Sequence, residues 1–120
     1  MDRVQAILNA SPEKRYKNFI SRVADYEKVW LLDNGEGYCT YDKDDDMFLL
    51  IWQERKMAEL FSQDTEKVVS IEVHKFCELC NENLKKQNLM FMVCPNKRDT
   101  YIATVQRVLE DLIDELNKIE

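Results

Sequence analysis

The residues best suited to chemistry are Cys77 and Cys80, in the run Phe76-Cys77-Glu78-Leu79-Cys80-Asn81. A C-x-x-C pair can donate two thiolates to a tetrahedral zinc site or run thiol–disulfide exchange. Both uses make demands on the rest of the chain. A closed zinc site needs two more ligands, and the remaining cysteines, Cys39 and Cys94, stand isolated in sequence. A redox pair draws its low pKa from a helix N-terminus. Here Val73, Phe76, Cys77, Cys80 and Leu84 recur at helical spacing, which places the pair inside the buried stripe of a helix over residues 72–87. Cysteine acts there as a small hydrophobe. The expected role is core packing. The alternative is a zinc- or thiol-dependent protein that uses Cys77 and Cys80 with Cys39 and Cys94.

The other reactive residue types lack the company they need. His74, the single histidine, precedes Cys77 by three positions, with no oxyanion loop to complete a nucleophilic site. Asp42-Lys43-Asp44-Asp45-Asp46 imitates the start of a calcium loop. However, Met47 stands where the sharp turn needs Gly, and Gln53 where a bidentate Glu belongs. Two glycines in the whole chain cannot build a Gly-rich phosphate loop, and no serine has a G-x-S-x-G context. Glu110 and Asp114 read as a solvated helix face. The expectation is a protein that is not an enzyme and uses no cofactor or metal.

Charge narrows the partners. Twenty-three acidic against 17 basic residues give a net charge of −6 among 120 residues. Phosphate neutralisation needs clustered cations, so nucleic-acid and anionic-membrane binding are not expected. Lys14, Arg15, Lys17 and Arg22 fall on one early helix and read as a solvated basic face. No apolar run reaches the roughly 18 residues of a membrane span, and the polar N-terminus is no secretory signal. The expected compartment is the cytoplasm, with free thiols.

One domain over residues 1–120 must position these groups. Val4, Ile7 and Leu8 mark a short first helix. Ser11-Pro12-Glu13 begins a second with a cap, a first-turn proline and a well-placed acid, and Tyr16, Phe19, Ile20 and Val23 give its buried stripe. Val29–Leu32 and Tyr38–Tyr41 read as strands joined at Asn34-Gly35 as a hairpin. The nearly continuous apolar run Met47–Trp52 predicts a third strand, central in the sheet. A short helix over 54–61, a strand over 67–71, the helix over 72–87 and a strand over 89–94 follow. Thr100–Ala103 reads as a sixth strand, and Thr104 caps a long C-terminal helix. The expected fold is α+β. A mixed five- or six-stranded sheet begins as a three-stranded meander and continues as strand-helix-strand-helix-strand, with helices packed on it.

Several short motifs together resemble a bacterial family of unknown function, DUF2750. They are Arg15-Tyr16-x-x-Phe19, Val23-Ala24-Asp25, Val29-Trp30-x-Leu32, Gly37-Tyr38, Ile51-Trp52 with Ala58, Ile71-x-x-x-x-Phe76 and a strand ending at Pro95. The likeness spans residues 12–117. Leu50-Ile51 departs from the proline that family members usually carry before the second tryptophan, and the helix of Cys80 lacks the further tryptophan that they often place there. A fainter similarity is to SseB-like domains, linked with bacterial secretion and interaction roles. The family resemblance implies a small cytosolic α+β protein without assigned catalytic residues.

Two surfaces are then expected to work. Arg15, Tyr16, Trp30, Tyr38, Tyr41 and Trp52 form a candidate contact surface for a protein partner, since aromatic residues dominate interaction hot spots. This suits a regulatory, adaptor or immunity-like module. On the last helix Val105, Leu109, Leu112, Leu116 and Ile119 repeat as a heptad-like seam widened by Val108 and Ile113, a candidate two-fold homodimer contact.

Overall fold

The helix that Ser11 and Pro12 announce forms where the sequence places it. In the computed structural model, which describes residues 2–119, helix α2 runs Pro12–Tyr26, and Ser11 Oγ accepts a hydrogen bond from Lys14 N–H at 3.3 Å. The short α1, Arg3–Leu8, is capped by Asp2 in the same way. α2 ends at Glu27, whose left-handed φ of 63° turns the chain into strand β1, Lys28–Asp33.

The turn at Asn34–Gly37 reverses the chain but does not zip a long hairpin. Tyr38 meets Asp33 in a single bridge, and Cys39 N–H donates to Leu32 O. The reason lies on the same edge of β1, where Trp30 exchanges two backbone hydrogen bonds with Trp52. With that edge shared, β2 (Thr40–Lys43) pairs instead with β3 (Asp46–Ile51). The tight two-residue turn of the protein is therefore Asp44-Asp45, both at positive φ, inside the acidic stretch.

After α3 (Arg55–Phe61), β4 (Lys67–Glu72) returns to pair antiparallel with β1 along six residues. The strands thus divide into a two-stranded β1–β4 ribbon and a four-stranded sheet in the order β2-β3-β5-β6, with β5 Leu89–Val93 and β6 Tyr101–Thr104. β3 is central and parallel to β5, as its apolar run predicts. The helix expected over 72–87 is shorter. α4 covers Val73–Glu82, with the Glu72 carboxylate accepting from His74 and Lys75 N–H, and a single 3-10 turn, Leu84–Lys86, follows. α5 spans Val105–Ile119 from the predicted cap, where Thr104 Oγ1 accepts from Arg107 N–H at 3.1 Å.

One hydrophobic cluster runs from Leu8 to Leu116. Opposed strand residues share a sheet face, so Leu49, Phe91 and Ala103 point together under α2 and α5. Phe76 of α4 joins them, its ring centroid 5.6 Å from that of Phe91. By the same register the opposite face carries Tyr41, Phe48, Leu50, Met90, Met92 and Ile102. No helix covers that face among the described residues, and Tyr41 and Ile102 are 50% and 47% exposed there, while Met90 and Met92 are half-buried and Phe48 and Leu50 buried. Among the described residues no helix is long and apolar enough to cross a membrane.

Candidate functional site

The cysteines do not meet. Cys80 is fully buried on the core face of α4 and Cys77 half-buried beside it, while Cys39 precedes β2 and Cys94 follows β5. All four are free, and among the described residues no three His, Cys, Asp or Glu side chains gather to hold a metal ion. Burial raises every thiol pKa: Cys80 to about 12, Cys39 and Cys94 to about 11, and Cys77 upward by the same cause. A thiolate nucleophile or ligand needs the opposite shift.

The aromatic and basic set divides by burial. Tyr38 and Tyr41 are exposed and Trp30 is half-buried, but Arg15, Tyr16 and Trp52 belong to the interior, with exposures of 0%, 4% and 0%. Arg15 corrects both expectations for it, solvated face and contact surface. Its guanidinium is a clamp. Nε donates to Cys94 O at 3.0 Å, one terminal nitrogen to Ala10 O at 2.8 Å, and the other to Asp99 O at 3.1 Å and Asp99 Oδ1 at 2.6 Å. A long chain with five donors is suited to satisfying several buried carbonyls at once. Tyr16 stacks on Tyr101 at 4.5 Å, donates its hydroxyl to Asp111, and lies under the Arg107 guanidinium. Burial, followed by that bond to Asp111, pushes its pKa upward.

Trp52 completes the framework. Its indole N–H donates to Pro95 O at 3.0 Å, and its ring packs against Phe61. Arg15 and Trp52 thus fix opposite sides of the loop from Pro95 to Thr100. Asn96 ties that loop down further. Its side-chain N–H donates to Leu8 O at 2.7 Å, and its oxygen accepts from the N–H groups of Arg98 and Asp99. The motif residues Arg15, Trp52 and Pro95 therefore build a rigid loop whose exposed tips are Lys97 and Arg98.

The loop walls a groove of about 840 Å³ on the open sheet face. Tyr41, Phe48, Leu50, Met92 and Ile102 line its floor, and Phe61, Gln63 and Glu66 form the far wall. Lys43, Lys97 and Arg98 stand at the rim. Of the six residues expected to form the contact surface, this groove includes Tyr41 alone. The signal that could have found the rest is the second parity of the strands. Phe48, Leu50, Met90, Met92 and Ile102 are apolar although the partner face already supplies the core.

The heptad-like seam on α5 is spent within the chain. Val105, Val108, Leu109, Leu112 and Leu116 are buried, as α5 packs on α2 and α4. Ile113 is left 43% exposed, and the Ile119 side chain lies outside the described residues. A homodimer through that seam would have to undock α5 from its own core.

A search of curated proteins finds no significant relative. The sequence profile described as "Protein of unknown function (DUF2750)" matches residues 16–115, from the Tyr16 of the clamp helix to Glu115 of α5. Every motif residue of the resemblance except Arg15 falls within that span, which is shorter than residues 12–117 at both ends, and the match adds nothing to the fainter SseB-like similarity. The chain belongs to the DUF2750 family.

Proposed function

We propose that the protein is a non-enzymatic interaction module, of adaptor or regulatory kind, that holds a partner protein against the open face of its four-stranded sheet. The observation that carries this reading is a groove in which Tyr41 and Ile102 stand exposed over buried Phe48 and Leu50, beside a loop that the interior makes rigid. Exposed aliphatic and aromatic residues gathered in one concave patch mark interaction sites in proteins whose other apolar residues are buried. Met92 adds an adaptable side chain to the floor. A loop already fixed by Arg15, Trp52 and Asn96 loses little conformational entropy on binding. Four free thiols, all pushed toward their protonated form, suit the reducing cytoplasm in which we place the protein.

The test compares immobilised wild type with Ile102→Lys and with Glu110→Lys, a change on the exposed side of α5, as baits in extract of the source cell. The expected result is a partner retained by wild type and by Glu110→Lys and released by Ile102→Lys. Equal retention by all three baits would place the contact elsewhere and sink the proposal.

A further inference from the structure

We propose that the protein pairs with a second copy of itself along the free edge of β4, strand against antiparallel strand, a contact separate from the docking face proposed above. β4 has a neighbouring strand on one side only, β1. Which of its backbone groups face outward follows from the bonding of β1. Trp30 exchanges both of its backbone bonds with Trp52, and Leu32 O accepts from Cys39 N–H, so these residues address the far edge of β1. In an antiparallel ladder, bonded and non-bonded pairs alternate. Trp30 stands opposite Ser70, and Leu32 opposite Val68. Both are therefore non-bonded pairs, and the N–H and C=O groups of Val68 and Ser70 point away from β1. The Glu72 N–H, opposite Lys28, continues the outward row. Among the described residues no turn, loop or other strand supplies a backbone partner to the Val68 and Ser70 groups.

Such an edge recruits another strand unless proline, a bulge, an interior charge or short length blunts it. β4 has none of these. Its register with β1 is unbroken over six residues, and its charges, Lys67 and Glu72, lie at the two ends. The edges of the larger sheet, β2 and β6, have four residues each, and β2 carries Asp42 and Lys43. The sequence of β4 then selects the occupant. Opposed residues share a face, so a two-fold axis passes between one residue and its own copy. At Lys67 or Glu72 that axis opposes like charges, which destabilises the pair. At Val68 or Val69 it sets Lys67 against an apolar residue, and at Ile71 it runs half of the strand against α4. At Ser70 none of this happens. Ser70 N–H donates to the partner's Ser70 O and the reverse, and Glu72 N–H donates to the partner's Val68 O. Val69 faces the partner's Ile71. Both are half-buried in the single chain, and both continue rows that begin at buried Leu31 and Val29 of β1. The Glu72 carboxylate stays on the α4 cap, opposite Lys28. The ribbon, at two strands marginal by itself, becomes a four-stranded β1-β4-β4-β1 sheet.

The test is light scattering after gel filtration over a concentration series, in which wild type should approach twice its chain mass. Ser70→Lys places two cations at the axis, and Ser70→Pro removes the N–H that the contact uses. The Ser70 side chain is exposed and its N–H faces away from β1, the one setting in which a strand accepts proline. Circular dichroism should therefore show the wild-type fold for both variants. Each should raise the dimer dissociation constant about tenfold or more, as for like charges or a lost bond at the centre of an interface. Ile102→Lys, on the open sheet face, should leave the mass unchanged, so this contact and the docking role fail independently. Amide exchange followed by NMR gives a second reading. The Ser70 and Glu72 N–H groups should exchange more slowly in wild type as its concentration rises, and the Glu72 N–H should lose that dependence in Ser70→Lys. Should Ser70→Pro lose the fold, Ser70→Lys decides. A wild type that keeps its single-chain mass throughout the series would overturn the proposal. So would a dimer that survives Ser70→Lys with its fold intact, or one that Ile102→Lys splits.

Discussion

Replacing Arg15 by Met keeps a long unbranched side chain in place and removes all four hydrogen bonds of the clamp. The Cys94 carbonyl is buried, and leaving such an acceptor without a donor costs about 1–3 kcal/mol. The Ala10 and Asp99 carbonyls are part-buried and regain some water, so about 1 kcal/mol each is the expected loss. Asp99 is 39% exposed, so solvent screening limits the ion pair itself to under ~1 kcal/mol. The three carbonyls together come to about 3–5 kcal/mol, the range found when a buried charge partner is removed. Against a whole-domain stability of about 5–15 kcal/mol this is a large fraction. At ~4 °C per kcal/mol for a chain of this size, Tm should fall by about 12–20 °C.

Urea unfolding followed by circular dichroism checks the figure, with exposed Lys14→Met as a control expected within ~0.5 kcal/mol of wild type. Arg15→Lys retains the charge but not the fork, and should lose at least half as much as Arg15→Met. A double-mutant cycle with Asp99→Asn should give a coupling under ~1 kcal/mol, because the carbonyls and not the ion pair carry the cost. A loss below ~1 kcal/mol for Arg15→Met would refute the clamp. So would a cycle in which the Asp99 coupling accounts for the whole effect.

Other expectations follow from the same geometry. Trp52→Phe keeps most of the packing but strands the Pro95 carbonyl, so a loss of ~1–2 kcal/mol is expected in the same urea assay, and no loss would mean that the indole bond adds nothing. Under a thiol reagent in native protein Cys77 should react first, with Cys80 and Cys94 reacting only after denaturation; rapid native labelling of Cys80 would contradict its burial. The thiol pKa values of Cys39, Cys80 and Cys94 are raised in the folded state above the ordinary value of 9, so between about pH 9 and 11 the unfolded chain loses these protons while the folded one keeps them. Stability should therefore hold below pH 9 and fall above it, by up to ~1.4 kcal/mol per pH unit for a fully buried thiol. A Cys80→Ala/Cys94→Ala variant should show a shallower fall, and an unchanged slope would exclude the thiols as its source. On α5, Leu112→Ala should cost ~2–5 kcal/mol, while Ile113→Lys should change stability by under ~0.5 kcal/mol and leave the mass by light scattering unaltered. A mass that Ile113→Lys halves would revive the seam.

The sequence by itself determined most of the local structure. Ser11-Pro12 fixed the start of α2 and Thr104 that of α5, because a cap is a contact within a few residues and needs nothing distant. The apolar run of β3 likewise announced its central place, and the helical period of Phe76, Cys77 and Cys80 their packing on α4. What pairs with what was settled only in three dimensions. Asn34-Gly35 carries the stronger hairpin signal, yet β1 zips to β4, since Trp52 reaches its other edge from 22 residues away. Burial of the polar motif residues was likewise hidden. A charge four residues into a helix reads as surface until carbonyls from two loops, Ala10 in one and Cys94 and Asp99 in the other, close around it. Which apolar faces remain uncovered also depends on how many helices the chain can spare. α5 was consumed by the inner face of the sheet, so Met92 and Ile102 on the outer face have no helix over them. Local propensity cannot encode that outcome, because it is decided by competition among distant segments for the same surface.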